Sequence, residues 1–318
     1  TGKDGTWKYT FTHNGDKYTK ELKQLINKFK KNGKKCIFYN KEDPTNYEKY
    51  CTIAGFFDVI ITTSELCVPK YRKKYPNKTI FAYPFLCNPI IHNPINNKKK
   101  KITYFVGGFY NRFHTRMEQC TKLLKEVIKS NYKLEIINRH YFYPKITRQI
   151  NAFKYHQNKY EIPKDFFQYE KPSVTHNKAM QLYKDSLFHL NMNTVTDCPT
   201  MSSRRLIELL GCGCNILSND AKSIKYLDLD IFTDVKQINY DVFNNYNIKG
   251  FYKTHIKYSY VSLIEKLLLL LNIKQKNNVF IKISCNDKTK IPEKYKKLTE
   301  STKFDFELLI NNNNYYIH

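Results

Sequence analysis

Short apolar runs bounded by turn residues alternate with amphipathic stretches along most of this chain. That alternation restricts the fold more than any other feature. "KELKQLINKFKKNG" (20–33) has helical spacing and ends in Gly33, a natural C-cap, and "KKCIFYN" (34–40) reads as a buried strand. A helix near 45–55, the strand "FDVIITT" (57–63), a helix near 65–75 and the strand "KTIFAYPF" (78–85) continue the series. "NPIIHNPINNKKKK" then interrupts it with prolines and a polar run, and marks a domain boundary near 97 and 98. The series restarts with "KITYFVGG" (101–108), a helix near 114–130, "YKLEIIN" (132–138), the helix "HNKAMQLYKDS" (176–186) and "LFHLNMN" (187–193). A helix within 197–219, the strand "CNILSN" (214–219) and a helix over 256–272 complete it, while 140–172 is poorly patterned. Two successive β/α blocks with apolar strands predict two parallel-sheet domains, 1–97 and 98–275, facing each other across a cleft.

The chain's 318 residues suffice for two cores, and 41% hydrophobic with 15% aromatic residues exclude a disordered polymer. The longest apolar run, "LLLLLNI" (267–273), falls far short of the roughly 18 residues that span a bilayer. The polar start "TGKDGTWKYT" is no signal peptide, and without an initiator methionine the chain reads as an excised piece. Nine cysteines fall mostly as singles. That pattern argues against a disulfide framework and for a reducing, cytoplasmic setting. Cys212 and Cys214 have no second Cys/His cluster to complete a tetrahedral metal site. His92, His114, His140, His176, His189 and His255 fall at no metal-ligand spacing and read as surface or packed histidines. The net charge of +26 admits a polyanion partner. Lys, Asn, Ile, Tyr and Phe share AT-rich codons, however, so base composition supplies many of the lysines.

In parallel α/β sheets ligands bind beyond the carboxyl ends of the strands. Here those ends are 40–43, 62–65, 107–112, 138–139 and 191–194, mostly polar, glycine or charged although the strands are apolar. "VGGFYNRFHTR" (106–116) sets Gly107 and Gly108 between a strand and a helix, where backbone amides can approach a phosphate and Arg112 and Arg116 can supply counter-charge. A tight turn with exposed arginines fits the same spacing. In "NKEDP" (40–44), Glu42 or Asp43 could take a proton or orient a hydroxyl, whereas spacing alone favours Asp43 as a helix cap. In "DCPTMSSRRLIELLGCGCNILSN" (197–219), Arg204 and Glu208 are four apart on one helix face. Gly211 and Gly213 would allow a sharp return into the next strand. Arginines on so apolar a helix need a partner, and a diphosphate would suit them.

These segments resemble the CgeB-like glycosyltransferases, GT-B enzymes related to the retaining group 1/family 4 enzymes. The stretches that match are "GKDGTWKY" (2–9), "YNKEDPTNYEKY" (39–50), "FDVIITTSELCVPKYR" (57–72) and "PFLCNPIIHNPI" (84–95). They continue with "FVGGFYNRF" (105–113), "LEIINRHY" (134–141) and "NMNTVTDCPTMSSRRLIELLGCGCNILSN" (191–219), covering residues 1–272 in register. The resemblance implies a GT-B fold, two Rossmann-like domains with a nucleotide-sugar donor, a UDP-sugar first, held mainly by the C-terminal one. Glu208 then takes the position that hydrogen-bonds the donor ribose. Arg204, Arg205, Arg139 and Arg112 become candidates for diphosphate contact, and Gly107, Gly108 and Asn193 complete the donor set. No metal or other cofactor is implied, since basic side chains and helix dipoles neutralise the leaving diphosphate in such enzymes.

Glu42, Asp43 and Thr200 form the candidate catalytic set. Thr200 stands where the broader group carries a second glutamate, eight residues before the ribose-binding one. Cys214 and Asn215 depart from the usual tract and are expected to alter the pocket. Relatives carry strands upstream of "GKDG", so the N-terminal domain is expected to be trimmed, and 145–172 reads as an acceptor-side insertion. The tail, 276–318, resembles the first βαβ unit of a GT-A enzyme or else a terminal helix packing back. The resulting expectation is a retaining hexosyltransferase whose acceptor is a glycan, a glycoprotein or an anionic polymer. The alternative is a non-catalytic polyanion- or nucleic-acid-binding module on a decayed GT-B fold.

Overall fold

The computed structural model describes residues 16–95, 99–141, 160–273, 281–285, 306–311 and 314–317. The motif at 2–9 and most of the expected insertion lie outside them. The chain divides into two compact units, Thr1–Leu263 and Ile264–His318.

The first unit holds two parallel sheets. In the smaller, β1 (Ile37–Asn40), β2 (Val59–Thr62) and β3 (Thr79–Ala82) lie in the order β1-β2-β3. Helices α1 (Asp16–Lys31), α2 (Tyr47–Ala54) and α3 (Val68–Lys74) accompany them. All four residues of the central strand β2 are buried, whereas β1 is only partly so. The sequence reading of β1 as a buried strand is thereby corrected: it sits at the sheet's edge among the described residues and has one neighbour. Tyr47, Cys51, Ile60, Val68, Tyr71 and Ile80 form the core of this half.

The larger sheet has the order β6-β5-β4-β7-β8. Its strands are β4 (Lys100–Gly107), β5 (Leu134–Asn138), β6 (Glu170–Lys171), β7 (Ser186–Asn191) and β8 (Asn215–Ser218). The helices α4 (His114–Lys129), α5 (His176–Asp185) and α6 (Arg204–Gly211) supply its cover. Two apolar clusters result, one around Phe105, Leu124, Phe166 and Phe188, the other around Met180, Tyr183, Leu206 and Leu210.

Helix α6 explains its own sequence. Ser203 caps it by accepting the Leu206 amide, and Leu206, Ile207, Leu209 and Leu210 are fully buried. Each such side chain contributes on the order of 1.5–3 kcal/mol of burial. At the far end Gly213 takes φ +73°. Its amide bonds the Leu210 carbonyl (2.9 Å), and the Cys214 amide bonds the Leu209 carbonyl (3.1 Å). That is a Schellman closure, and only a residue tolerant of left-handed φ suits it. Gly211, in contrast, is still helical. A Cβ there would stand 3.0 Å from Cys87 Cβ and 3.1 Å from His92 Cβ, so this glycine serves close packing and not the turn.

The helix expected over 256–272 is two helices, α8 (Ile248–Lys257) and α9 (Tyr260–Leu270), with the short α7 (Lys222–Tyr226) preceding them. The break comes at Ser259, whose amide and hydroxyl bond Ser262 and stop the first helix from running on. In the second unit β9 (Ile281–Cys285) and β10 (Phe306–Asn311) are parallel, and β11 (Asn314–Ile317) is antiparallel to β10. The helix expected between β9 and β10 lies outside the described residues.

Candidate functional site

The carboxyl ends of the two sheets of the first unit line one open cleft of about 310 Å³. Lys41 and Glu42 follow β1, Tyr110 and Arg112 follow β4, Thr194 and Val195 follow β7, and Met201 to Arg204 lead into α6. Parallel strands put all their carboxyl ends on one edge, so residues far apart in sequence converge there.

The sequence-derived candidates fall into three groups. Glu42, Arg112 and Arg204 line the cleft directly. Glu42 is exposed and accepts from Asn46 Nδ2 (3.1 Å), while Arg112 lies over the Phe113 ring at 4.6 Å. Arg204 is 57% exposed along its side chain and bonds Glu208 Oε1 through Nε at 2.7 Å. The burial anticipated for both arginines therefore fails for Arg204, which turns outward from the apolar face of α6.

A second group is buried and engaged by the protein itself. Asp43 is fully buried and does not line the cleft. Its carboxylate accepts from Asn40 Nδ2 (2.9 Å) and Thr62 Oγ1 (2.6 Å). Burial raises its pKa, an effect opposed by the Thr62 and Tyr71 hydroxyls and by the Lys70 charge. Nor does it cap α2, which starts beyond Asn46 with no side-chain cap. Thr200 is 5% exposed and joins the two halves. Its hydroxyl donates to the Thr63 carbonyl (2.9 Å) and accepts from the Glu65 amide (2.8 Å). Asn193 accepts from the Ser203 amide (2.8 Å), and its own amide donates to Asn219 Oδ1 (2.7 Å), which ties the start of α6 to the ends of β7 and β8. Glu208 is 5% exposed beside Arg204 and His92.

The third group surrounds the glycine turn after β4. A Cβ on Gly107 would meet Arg205 Nη2 at 2.8 Å, and one on Gly108 would meet His140 Cδ2 at 2.8 Å. Arg116, on α4, is 6% exposed and donates from Nη2 to the Gly108 carbonyl (3.1 Å). Its Nε and Nη1, together with Arg205 Nη1, are buried without a hydrogen-bond partner. Burial, and less strongly the nearby Arg205 charge, works against the charged form of Arg116. Among the described residues neither arginine has a carboxylate partner. Arg139 is exposed, and its backbone amide donates to the Gly107 carbonyl of this turn (2.7 Å). Cys214 and Asn215 lie at the amino end of β8, opposite the cleft. The Cys214 thiol meets the Tyr183 carbonyl (3.1 Å), and Asn215 holds the Val242 and Asn245 carbonyls. They do not shape the pocket as expected, because a parallel strand's two ends face opposite edges of the sheet.

No family model matches this sequence, and no curated protein is similar to it in sequence. Solved structures are similar in fold. Anabaena Alr3699/HepE, crystallised with UDP and glucose, is 9% identical with a TM-score of 0.50 over 80% of this chain and 76% of that one. The fold is GT-B. A UDP-forming trehalose-phosphate synthase from Burkholderia xenovorans (11% identity, TM-score 0.47, 79% of this chain and 72% of that one) is also similar. So is a sucrose-phosphate synthase from Thermosynechococcus elongatus (11% identity, TM-score 0.43, 73% of this chain), of whose length the chain spans 62%. Within the GT-B cleft, the strand-end ranges had taken in Tyr110 and the ring-flanked Lys41, whose Nζ bonds Tyr260 OH (3.2 Å), without giving either a role, and the lining residue Met201 had been missed. It had also missed the Ser203 cap, although a serine just before an apolar helix is a signal that could have found it.

Proposed function

We propose that this chain is a glycosyltransferase that moves a sugar, a hexose first, from a nucleotide-diphosphate donor to an acceptor hydroxyl. The observation that carries this reading is the pair Arg116 and Arg205 at the glycine turn, with three guanidinium nitrogens buried and unbonded. Arg116 lies over the Tyr110 ring (5.3 Å) and Arg205 over the Phe105 ring (5.5 Å), but a buried cation without a counter-ion is still costly, so such a pair makes sense where an anion completes it. A diphosphate offers the oxygens that guanidinium groups match. The ordered motifs that resemble CgeB-like enzymes support the donor class. So does the similarity in fold to HepE, which was crystallised with UDP and glucose.

In the proposed step an acceptor oxygen bonds the anomeric carbon while the bond from that carbon to the diphosphate oxygen breaks. The electron pair leaves with the diphosphate, where Arg116 and Arg205, with Arg112 and Arg204 at the cleft wall, offset the developing charge. Glu42 is the carboxylate placed at the cleft to take the acceptor's proton. Asp43, Thr200 and Asn193 hold the cleft walls in place. Retention follows the family resemblance and is read from the anomeric configuration of the product. The acceptor belongs to the glycans, glycoproteins or anionic polymers that bear a free hydroxyl.

The polyanion-binding alternative has no comparable support. Of the 98–101 lysine run, Lys100 pairs with Asp185 (2.9 Å) and Lys99 bonds the Lys184 carbonyl. Thermal unfolding with UDP, GDP and their sugars tests the reading. A bound nucleotide at a hundred times its dissociation constant adds about 2.7 kcal/mol. Arg116→Gln should abolish most of that gain, and absence of stabilisation by every nucleotide would refute the assignment.

A further inference from the structure

Lys41 follows the carboxyl end of β1 and lines the cleft from the smaller sheet, whereas the glycine turn with its arginines belongs to the larger one. Its side chain is not a loose surface lysine. Nζ bonds Tyr260 OH at 3.2 Å and lies 4.9 Å from the centre of the Tyr39 ring and 5.4 Å from that of Tyr260. Both tyrosines are themselves held. The Tyr39 hydroxyl donates to the carbonyls of Tyr83 (3.3 Å) and Pro84, and the Tyr260 amide donates to the Cys87 carbonyl (3.2 Å). Much of the freedom that a lysine gives up on binding an anion is therefore already lost in the free chain.

The charge itself is unmatched. Among the described residues no carboxylate lies within ion-pair distance of Lys41, and Glu42, the next residue, accepts from Asn46 Nδ2 (3.1 Å) instead. The two rings attract a cation without neutralising it. An ammonium has three N–H donors, of which Tyr260 takes one, and that contact is exposed to solvent. Position then decides which anion fits. In the proposed reading the donor diphosphate is met at the glycine turn after β4. Lys41 comes from the other sheet, next to Glu42, the carboxylate assigned the acceptor's proton, and close in sequence to the exposed Thr45, which lines the same cleft. An anionic group against this wall belongs to the acceptor.

We propose that Lys41, set between Tyr39 and Tyr260, recognises a phosphate or carboxylate on the acceptor, so that the acceptor is anionic; this rests on the reading of the chain as a glycosyltransferase. Either group meets the ammonium through charge-assisted hydrogen bonds, which a neutral glycan cannot supply. Lys41 is then the residue that separates anionic from neutral acceptors, while Glu42 acts on the hydroxyl that both would carry.

The test is calorimetric binding of glucose, glucose 6-phosphate and glucuronate to the full chain saturated with UDP, or with GDP where that is the nucleotide bound. The two charged sugars tell a phosphate site from a carboxylate site. The wild type should bind at least one of them about tenfold more tightly than glucose. Lys41→Gln should bring that ratio to within about twofold, and Lys41→Arg should keep most of it because the positive charge remains. A merely structural lysine would weaken neutral and charged sugars alike and leave the ratio unchanged. A wild type that binds neither anion more tightly than glucose overturns the proposal, as does an unchanged ratio in a folded Lys41→Gln protein. A loss of nucleotide affinity in Lys41→Gln with the ratio intact overturns it too, since the lysine would then serve the donor. These three outcomes leave the donor reading standing. Failure of the wild type to bind UDP or GDP, read in the preceding nucleotide titration, removes that reading and the proposal with it.

Discussion

Thr200 reaches from the larger half of the first unit to the smaller, donating its hydroxyl to the Thr63 carbonyl at 2.9 Å while accepting the Glu65 amide at 2.8 Å. Both backbone groups follow β2, and the threonine is 5% exposed, so no water replaces these bonds cheaply. Thr200→Val keeps the shape and removes both. The expected loss is about 1–3 kcal/mol, read as a lower urea midpoint at unchanged slope. Thr200→Ser should restore most of it. A valine variant as stable as wild type would show that the joint between the halves does not rest on this hydroxyl.

Asp43 supplies a prediction in pH. Burial raises its folded-state pKa above the ordinary 3.8, so the folded chain holds this proton more tightly than the unfolded chain. Its contribution is full below pH 3.8 and is lost as pH rises through the raised value. Asp43→Asn does not titrate and still offers Asn40 and Thr62 a polar partner. The stability difference, variant minus wild type, should therefore move in favour of the variant between about pH 4 and pH 7. Unfolding temperatures of both proteins across that range check it, since other groups cancel in the difference. A flat or opposite trend would contradict the direction of the shift.

These two residues also show what a one-dimensional reading reaches. The strand ends were legible because apolar strands stop abruptly at polar residues, and Arg204 with Glu208 was legible because four positions make one helical turn. Asp43 was read as a local cap because Pro44 follows it. Its real partners are Thr62 on a neighbouring strand and Asn40, and the Thr62 contact spans 19 residues that no spacing rule covers. The same holds for Arg116, whose burial depends on how α4 sits on the glycine turn, and for His92, which faces Glu208 on a helix more than about a hundred residues further along the chain. Cys214 was misplaced for a different reason. Its neighbours in the motif belong to the cleft end of α6, whereas the eight residues of that helix carry the chain to the other edge of the sheet, where Cys214 closes the Schellman turn into β8.

Arg116 is expected to trade stability for binding. The side chain is 6% exposed with Nε and Nη1 unbonded, against one hydrogen bond to the Gly108 carbonyl and a contact with the Tyr110 ring at 5.3 Å. Arg116→Met keeps the length and removes the buried charge. The free protein should gain about 1 kcal/mol, since a cation in the interior without a counter-ion costs more than one neutral-acceptor bond and one ring contact return. The stabilisation by nucleotide diphosphate should largely vanish in the same variant. Chemical denaturation with and without UDP separates the two effects. Loss of stability in the free protein would mean that the guanidinium is compensated within the fold and has no need of an anion.

Removal of divalent ions should leave donor binding unaltered. In the proposed reading the charge of a nucleotide diphosphate would be met by Arg116 and Arg205, which lie at the glycine turn, and by Arg112 and Arg204, which line the cleft wall. A guanidinium binds phosphate oxygens through fixed N–H groups, and a magnesium ion would compete for the same oxygens. The affinity for UDP measured in EDTA and in magnesium should then agree within about twofold, a difference of roughly 0.4 kcal/mol. Replacing Arg205 by Gln should weaken UDP in both buffers to the same degree. Binding that appears only with magnesium would transfer the counter-charge from the arginines to a metal and contradict the role given to Arg205.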